Sequence, residues 1–233
     1  MDTPDINLLR DNVQAARLAL DRAAAGRDYT LLAASKTQSA EVINLLPQCG
    51  IFDYGENRVQ EWVEKHEKID KSLKYHQIGR LQSNKIKYII KEVTLIHSVD
   101  KVDLAKEIDR LAGKCGRCVD VLLQVNTARE EQKGGADPDE LMRLYEQVQL
   151  MENVKVKGLM CMAPLCGDER VVHETFAAAR RLFDDLRAQD AYLSVLSMGM
   201  SGDACIALEE GSTLVRMGTA LFGQRAGYNH IAQ

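Results

Sequence analysis

The chain has 233 residues, of which 45% are hydrophobic and 27% charged, and its formal net charge is -4. These values suit one large α/β domain or two small ones of ordinary soluble composition. They exclude the basic footprint of a nucleic-acid or anionic-membrane binder, and no apolar run approaches the roughly 18 residues that a membrane helix needs.

The first five residues, Met1-Asp2-Thr3-Pro4-Asp5, are acidic and lack the regions of a signal peptide, so a cytoplasmic protein is expected. A first helix, about residues 6–25, carries Ile6, Leu9, Val13, Ala16 and Leu20 at steps of three and four, with Gly26 as its stop. Strand-like runs follow at Leu31–Ser35, Ile51–Gly55, Tyr75–Gly79, Thr94–Ser98, Val119–Val125, Val156–Met162, Leu193–Gly199 and Thr213–Gly218. Helical stretches lie between them. One places Val59, Trp62, Val63, His66 and Ile69 on a single face, and another begins at Asp100 and runs through Leu104, Ile108 and Leu111. A third opens Asp137-Pro138-Asp139-Glu140, an N-cap followed by a proline and acids. The longest runs from about Asp168 to Gln189, with Phe176, Ala179, Leu182, Phe183 and Leu186 inward. Cys115 and Cys118 form one CxxC before the fifth strand. With no second ligand pair nearby, they read as reduced thiols in a turn, and no metal is expected.

Eight strands alternating with helices predict a single (β/α)8 TIM-type barrel over about 31–223, with a short C-terminal tail and no internal linker across 1–233. A doubly wound open sheet is the competing fold, but no Gly-x-Gly-x-x-Gly follows an early strand. In a barrel the chemistry gathers at the C-terminal strand ends. Those ends offer Lys36, Asn57, His76, Ser98, Asn126, Met162, Ser201-Gly202 and Arg216 to Thr219.

Lys36 closes the apolar run Leu31-Leu32-Ala33-Ala34-Ser35. At the rim of an apolar pocket, desolvation favours the free amine that forms a Schiff base with an aldehyde. The bland alternative is a strand-capping lysine that reaches water. Barrels often hold phosphate in the loops after strands seven and eight. Here those loops supply the Ser201 hydroxyl, the open backbone of Gly202, and the N–H groups of Gly218 and Thr219. A lysine and a phosphate cradle together fit one ligand with both an aldehyde and a phosphate, and pyridoxal 5′-phosphate (PLP) is such a molecule.

Several strings then bear a specific resemblance. Ala33-Ala34-Ser35-Lys36-Thr37, Tyr54-Gly55-Glu56-Asn57, the run from His76 to Lys85, Ser197-Met198-Gly199-Met200-Ser201 and the run from Val215 to Gly223 resemble the YggS/PROSC family of PLP homeostasis proteins, in the same order from about Leu31 to Gly223. The resemblance implies a barrel like the N-terminal domain of alanine racemase. It implies PLP as a Schiff base on Lys36, with its phosphate on Ser201, Gly202, Gly218 and Thr219. By the same analogy, Arg216 faces the pyridine nitrogen, Met162 lies against the ring and Asn57 stands near the cofactor's polar edge. Each has a bland competitor: Arg216 paired with Glu56, Met162 as core, and His76 as a satisfied barrel histidine. Asn84 and Lys85 are read as opening the helix after strand three. Lys133 is read as a loop lysine, with contact to the phosphate or to a second PLP as its alternative.

An arginine opposite the pyridine nitrogen disfavours a protonated ring and hence strong carbanion stabilisation. A racemase also places a second acid/base across the ring, and Tyr228 in the tail is no evident substitute. The expected function is therefore intracellular PLP homeostasis by a monomeric carrier or regulator that serves PLP-dependent apoenzymes. The alternative is a low-activity amino-acid racemase, and a third reading is a phosphorylated-aldehyde lyase using Lys36 on its substrate.

Overall fold

A computed structural model describes residues 5–129, 134–164 and 168–223. Helix α1 (Ile6–Ala24) starts where the Asp5 side chain accepts hydrogen bonds from the Asn7 and Leu8 amides, a standard N-cap. It buries Leu9, Val13, Leu20 and Ala24 along one stripe. Its end differs slightly from expectation, because Ala25 (φ 50°) takes up the left-handed conformation one residue before Gly26.

The alternation then unfolds in order: β1 (Thr30–Ala34), α2 (Ala40–Ile43), β2 (Asp53–Glu56), α3 (Val59–Lys65), β3 (Lys74–Gln77), α4 (Ile86–Ile89), β4 (Leu95–Val99), α5 (Val102–Lys114), β5 (Val119–Gln124), α6 (Leu141–Gln149), β6 (Val154–Met160), α7 (Glu169–Gln189), β7 (Val195–Ser197), α8 (Ala204–Glu209), β8 (Leu214–Met217) and α9 (Thr219–Phe222). All eight predicted strands are present, each shorter or shifted by one or two residues at either end. The strands pair in parallel in chain order, and β8 returns to β1 with Ala33 opposite Met217. The sheet is a closed (β/α)8 barrel, which removes the open-sheet alternative.

The larger apolar cluster lies between the strands and their covering helices, where Trp62, Phe176 and Phe183 are fully buried. A much smaller one, Leu95, Leu122 and Met160, stands apart from it. Beside these lie buried polar residues of the strands, among them His76, His97, Ser197 and Arg216. Close packing of β6 against β7 depends on Gly158 (φ 150°), where a Cβ would stand only 1.8 Å from the Val195 carbonyl oxygen. One helix face departs from its predicted pattern. Val63 is 40% exposed because α3 ends at Lys65 and tightens into a 3-10 turn, His66–Lys68, while Trp62 takes the buried position. Among the described residues no helix is long and apolar enough to cross a membrane.

Candidate functional site at the C-terminal mouth of the barrel

Closure of the barrel brings the two ends of the chain's chemistry together. Lys36 lies two residues beyond the end of β1, and Gly218 directly follows β8, the strand paired with β1. The fit is close, since a Cβ at Gly218 would be 3.2 Å from the Ala34 carbonyl oxygen. Lys36 is half-buried, and no described residue makes a hydrogen bond or ion pair with its ammonium.

The turn that carries Lys36 is held from beneath. Thr37 has a positive φ of 68°, and its amide donates to Glu61 Oε2 at 3.1 Å. Lys65 Nζ donates to the carbonyls of Ser35 (3.3 Å) and Gln38 (2.8 Å) and pairs with Glu56 Oε1 at 2.7 Å. Ser35 Oγ donates to the same carboxylate oxygen at 2.5 Å. Burial pushes the Glu56 carboxyl up, and the Lys65 charge only partly offsets it; Glu56 Oε2 has no hydrogen-bond partner among the described residues. This clamp was missed from sequence, where Lys65 and Glu61 look like solvated positions on an outer helix.

On the facing loop, Ser201 Oγ accepts from the amides of Gly218 (3.1 Å) and Ala220 (3.3 Å). A hydroxyl has two lone pairs and one hydrogen, so with both lone pairs engaged its hydrogen remains to donate to an anion. The Gly218 amide is thus already taken by Ser201, and Ala220 joins the cradle unforeseen. Gly202 is exposed, and a Cβ there would meet nothing within 4 Å. Thr219 is exposed beside it. Asp203 turns its carboxylate away, onto the Met200 amide at 2.5 Å.

Arg216 is buried lower in the barrel. Its Nη1 donates to the carbonyl (2.9 Å) and hydroxyl (2.5 Å) of Ser197, and its Nη2 to the Cys161 carbonyl (3.2 Å). It does not pair with Glu56. Burial lowers its pKa to about 10, so it remains cationic at neutral pH. These three bonds leave two of the five guanidinium N–H groups for a ligand. Met162 is half-buried and packs on the Leu95, Leu122 and Met160 cluster, so it is a core residue on one side and open on the other.

The Asn57 side chain is exposed, while its carbonyl accepts from Gln77 Nε2 at 3.1 Å. Gly79 lies so near that a Cβ would be 2.3 Å from the Asn57 oxygen, and Ser98 Oγ donates to the Gly79 carbonyl at 2.8 Å. His76 is bonded through both ring nitrogens. Lys85 closes the Ser83–Lys85 turn that leads into α4. Cys115 and Cys118 lie in the turn between α5 and β5. Lys133 and Tyr228 fall outside the described residues.

A half-buried lysine, a serine that holds two loop amides and a buried arginine lie toward one end of this barrel, and comparison with known proteins gives the class to which the barrel belongs. The chain matches the model of the alanine racemase N-terminal domain over residues 5–226. Alanine racemase from Clostridium difficile is similar in fold, at 16% identity and a TM-score of 0.75, with 95% of this chain and 58% of that one covered. The pyridoxal phosphate homeostasis protein of Aquifex aeolicus is 47% identical over 210 residues, covering 89% of this chain and 92% of that protein. The structure of PipY from Synechococcus elongatus with PLP bound is 35% identical, with a TM-score of 0.82, and 92% of this chain covers 100% of it. The chain belongs to the YggS/PROSC family of pyridoxal phosphate homeostasis proteins.

Proposed function

We propose that the protein binds PLP at the barrel mouth, holds it as a Schiff base on Lys36, and serves intracellular PLP homeostasis as a monomeric carrier or regulator. The observation that carries this reading is the β1–β8 closure. It sets a lysine amine, unpaired among the described residues, beside a cradle whose hydroxyl hydrogen remains to donate. The related PipY structure with PLP supports the choice of ligand.

Each residue has a physical part in this reading. Lys36 supplies the amine that condenses with the aldehyde, and the Lys65 and Glu61 clamp keeps that amine at the rim. Ser201 donates to the phosphate while it fixes Gly218 and Ala220. Gly202 leaves room on the open side, and Thr219 closes the other. Arg216 turns a remaining N–H toward the ring nitrogen, Met162 covers one face of the ring, and Asn57 lines its polar edge. PLP supplies an electrophilic aldehyde and an electron-withdrawing ring. A cationic donor at the ring nitrogen opposes ring protonation and limits use of that ring as an electron sink.

The discriminating experiment mixes the PLP-loaded protein with an apoenzyme that needs PLP, and separately with amino acids in heavy water. Recovery of apoenzyme activity without exchange of the amino-acid α-proton supports a carrier. Exchange that disappears in Lys36→Ala would make it a racemase instead.

A further inference from the structure

Inside the barrel, five polar residues from five strands form a continuous line. Asp53 Oδ1 lies 3.1 Å from His76 Nε2, His76 Nδ1 lies 3.0 Å from His97 Nε2, and His97 Nδ1 lies 3.1 Å from Ser197 Oγ. Ser197 Oγ then takes the hydrogen bond from Arg216 at 2.5 Å. The line starts at the first residue of β2, at the far end of the barrel, and finishes at the arginine under the mouth. His97 and Ser197 are wholly buried, and His76 and Arg216 nearly so.

The chemistry of the two ends fixes every hydrogen between them. A guanidinium can only donate and a carboxylate can only accept. His76 must therefore carry its hydrogen on Nε2 to serve Asp53, which leaves Nδ1 as an acceptor in the neutral ring. His97 must then donate from Nε2, and its own Nδ1 accepts the Ser197 hydroxyl hydrogen. Ser197 Oγ is left to accept from Arg216. All four hydrogens point toward Asp53. A protonated His76 would reverse the His76–His97 bond and strand the Ser197 hydroxyl hydrogen in a buried position, which is costly. Burial first, with the Arg216 charge nearby, holds His97 well below the ordinary histidine range, as a neutral link requires.

We propose that Asp53, His76, His97 and Ser197 are positioning residues for Arg216. The Asp53 carboxylate sets one tautomer in both imidazoles, and the Ser197 oxygen so oriented fixes where the guanidinium points. With Arg216 under the ligand, as the PLP reading places it, the chain would set the donor that meets the ring nitrogen.

The test begins on ligand-free protein, so it does not depend on PLP. Imidazole nitrogen NMR should show His76 and His97 both as Nε2–H tautomers. Asp53→Asn replaces a group that can only accept with an amide that accepts through Oδ1 or donates through Nδ2, so the His76 tautomer is no longer fixed. Both rings should then show a mixture of Nε2–H and Nδ1–H tautomers, His97 included, although His97 does not touch residue 53. Arg216 side-chain N–H exchange should speed by roughly tenfold, about the worth of one hydrogen bond to a charged group. In Ser197→Ala, Asp53→Asn should no longer alter Arg216 exchange, which a double-mutant cycle reads directly. Nδ1–H tautomers in the unmodified protein, or additive effects in the cycle, would overturn the proposal. A final titration with PLP should find the Asp53→Asn protein binding several-fold more weakly than its parent. Equal affinity would overturn the link to the ligand, and no binding by the parent would overturn the PLP reading alone.

Discussion

Lys65 Nζ lies 2.7 Å from Glu56 Oε1 inside the barrel wall, and the same ammonium reaches the Ser35 and Gln38 carbonyls on either side of Lys36. One buried ion pair therefore anchors the turn that presents the candidate reactive amine. Lys65→Met would leave Glu56 buried with an uncompensated charge. Losing one partner of a buried pair costs about 3–5 kcal/mol, which urea denaturation at pH 7 should record. Lys65→Met combined with Glu56→Gln should recover most of that stability, because no charge then remains buried. It should not recover PLP capture, because the turn stays unfastened.

Ser201 has two tasks that separate experimentally. Its oxygen caps two amides, and its hydrogen is left over to donate. Ser201→Ala should cost about 1 kcal/mol of stability, the usual worth of such a bond. Affinity for PLP should fall by roughly tenfold if the hydroxyl donates to a phosphate, the larger value of a charge-assisted bond. Pyridoxal, which lacks the phosphate, should bind parent and variant alike. A calorimetric titration of both ligands decides this.

His97 should leave a mark on the pH dependence of folding. Burial holds the folded ring neutral below its ordinary value, whereas the unfolded chain takes up a proton near pH 6.5. Stability from this group is therefore complete above about pH 6.5. It is lost as the pH falls toward the folded value, at up to about 1.4 kcal/mol per pH unit for one proton. Urea midpoints measured from pH 7 to 5 should fall less steeply in His97→Gln than in the parent, whatever the offset between the two proteins. Parallel slopes would show that the ring does not stay neutral in the fold.

The fold was legible because its signals are local and repeated. Eight apolar runs with intervening amphipathic stretches leave little choice, and the Asp137-Pro138 start marks its turn and helix from sequence alone, with Asp137 capping the Asp139 amide. Lys36, Ser201 and Gly218 could be read as candidates because a barrel assigns functional meaning to strand ends. The clamp and the interior chain were not, for a physical reason. Lys65 reads as an exposed helix residue until its long side chain is seen to reach under a loop. His97 sits mid-strand, and its partners lie 21 residues before it and 100 after it. The available signal was a histidine in each of two buried strands, Tyr75-His76-Gln77 and Ile96-His97-Ser98, where an apolar residue is expected on both faces. Sequence also assigned the Gly218 amide to a phosphate, without the Ser201 oxygen that already holds it.

The most direct test of the account reduces the PLP-loaded protein with borohydride and maps the labelled peptide by mass. The prediction is one pyridoxyl group, on Lys36, with none in Lys36→Ala and a visible absorbance band that collapses on reduction. A label on another lysine, or a protein that takes up no PLP at all, would contradict it.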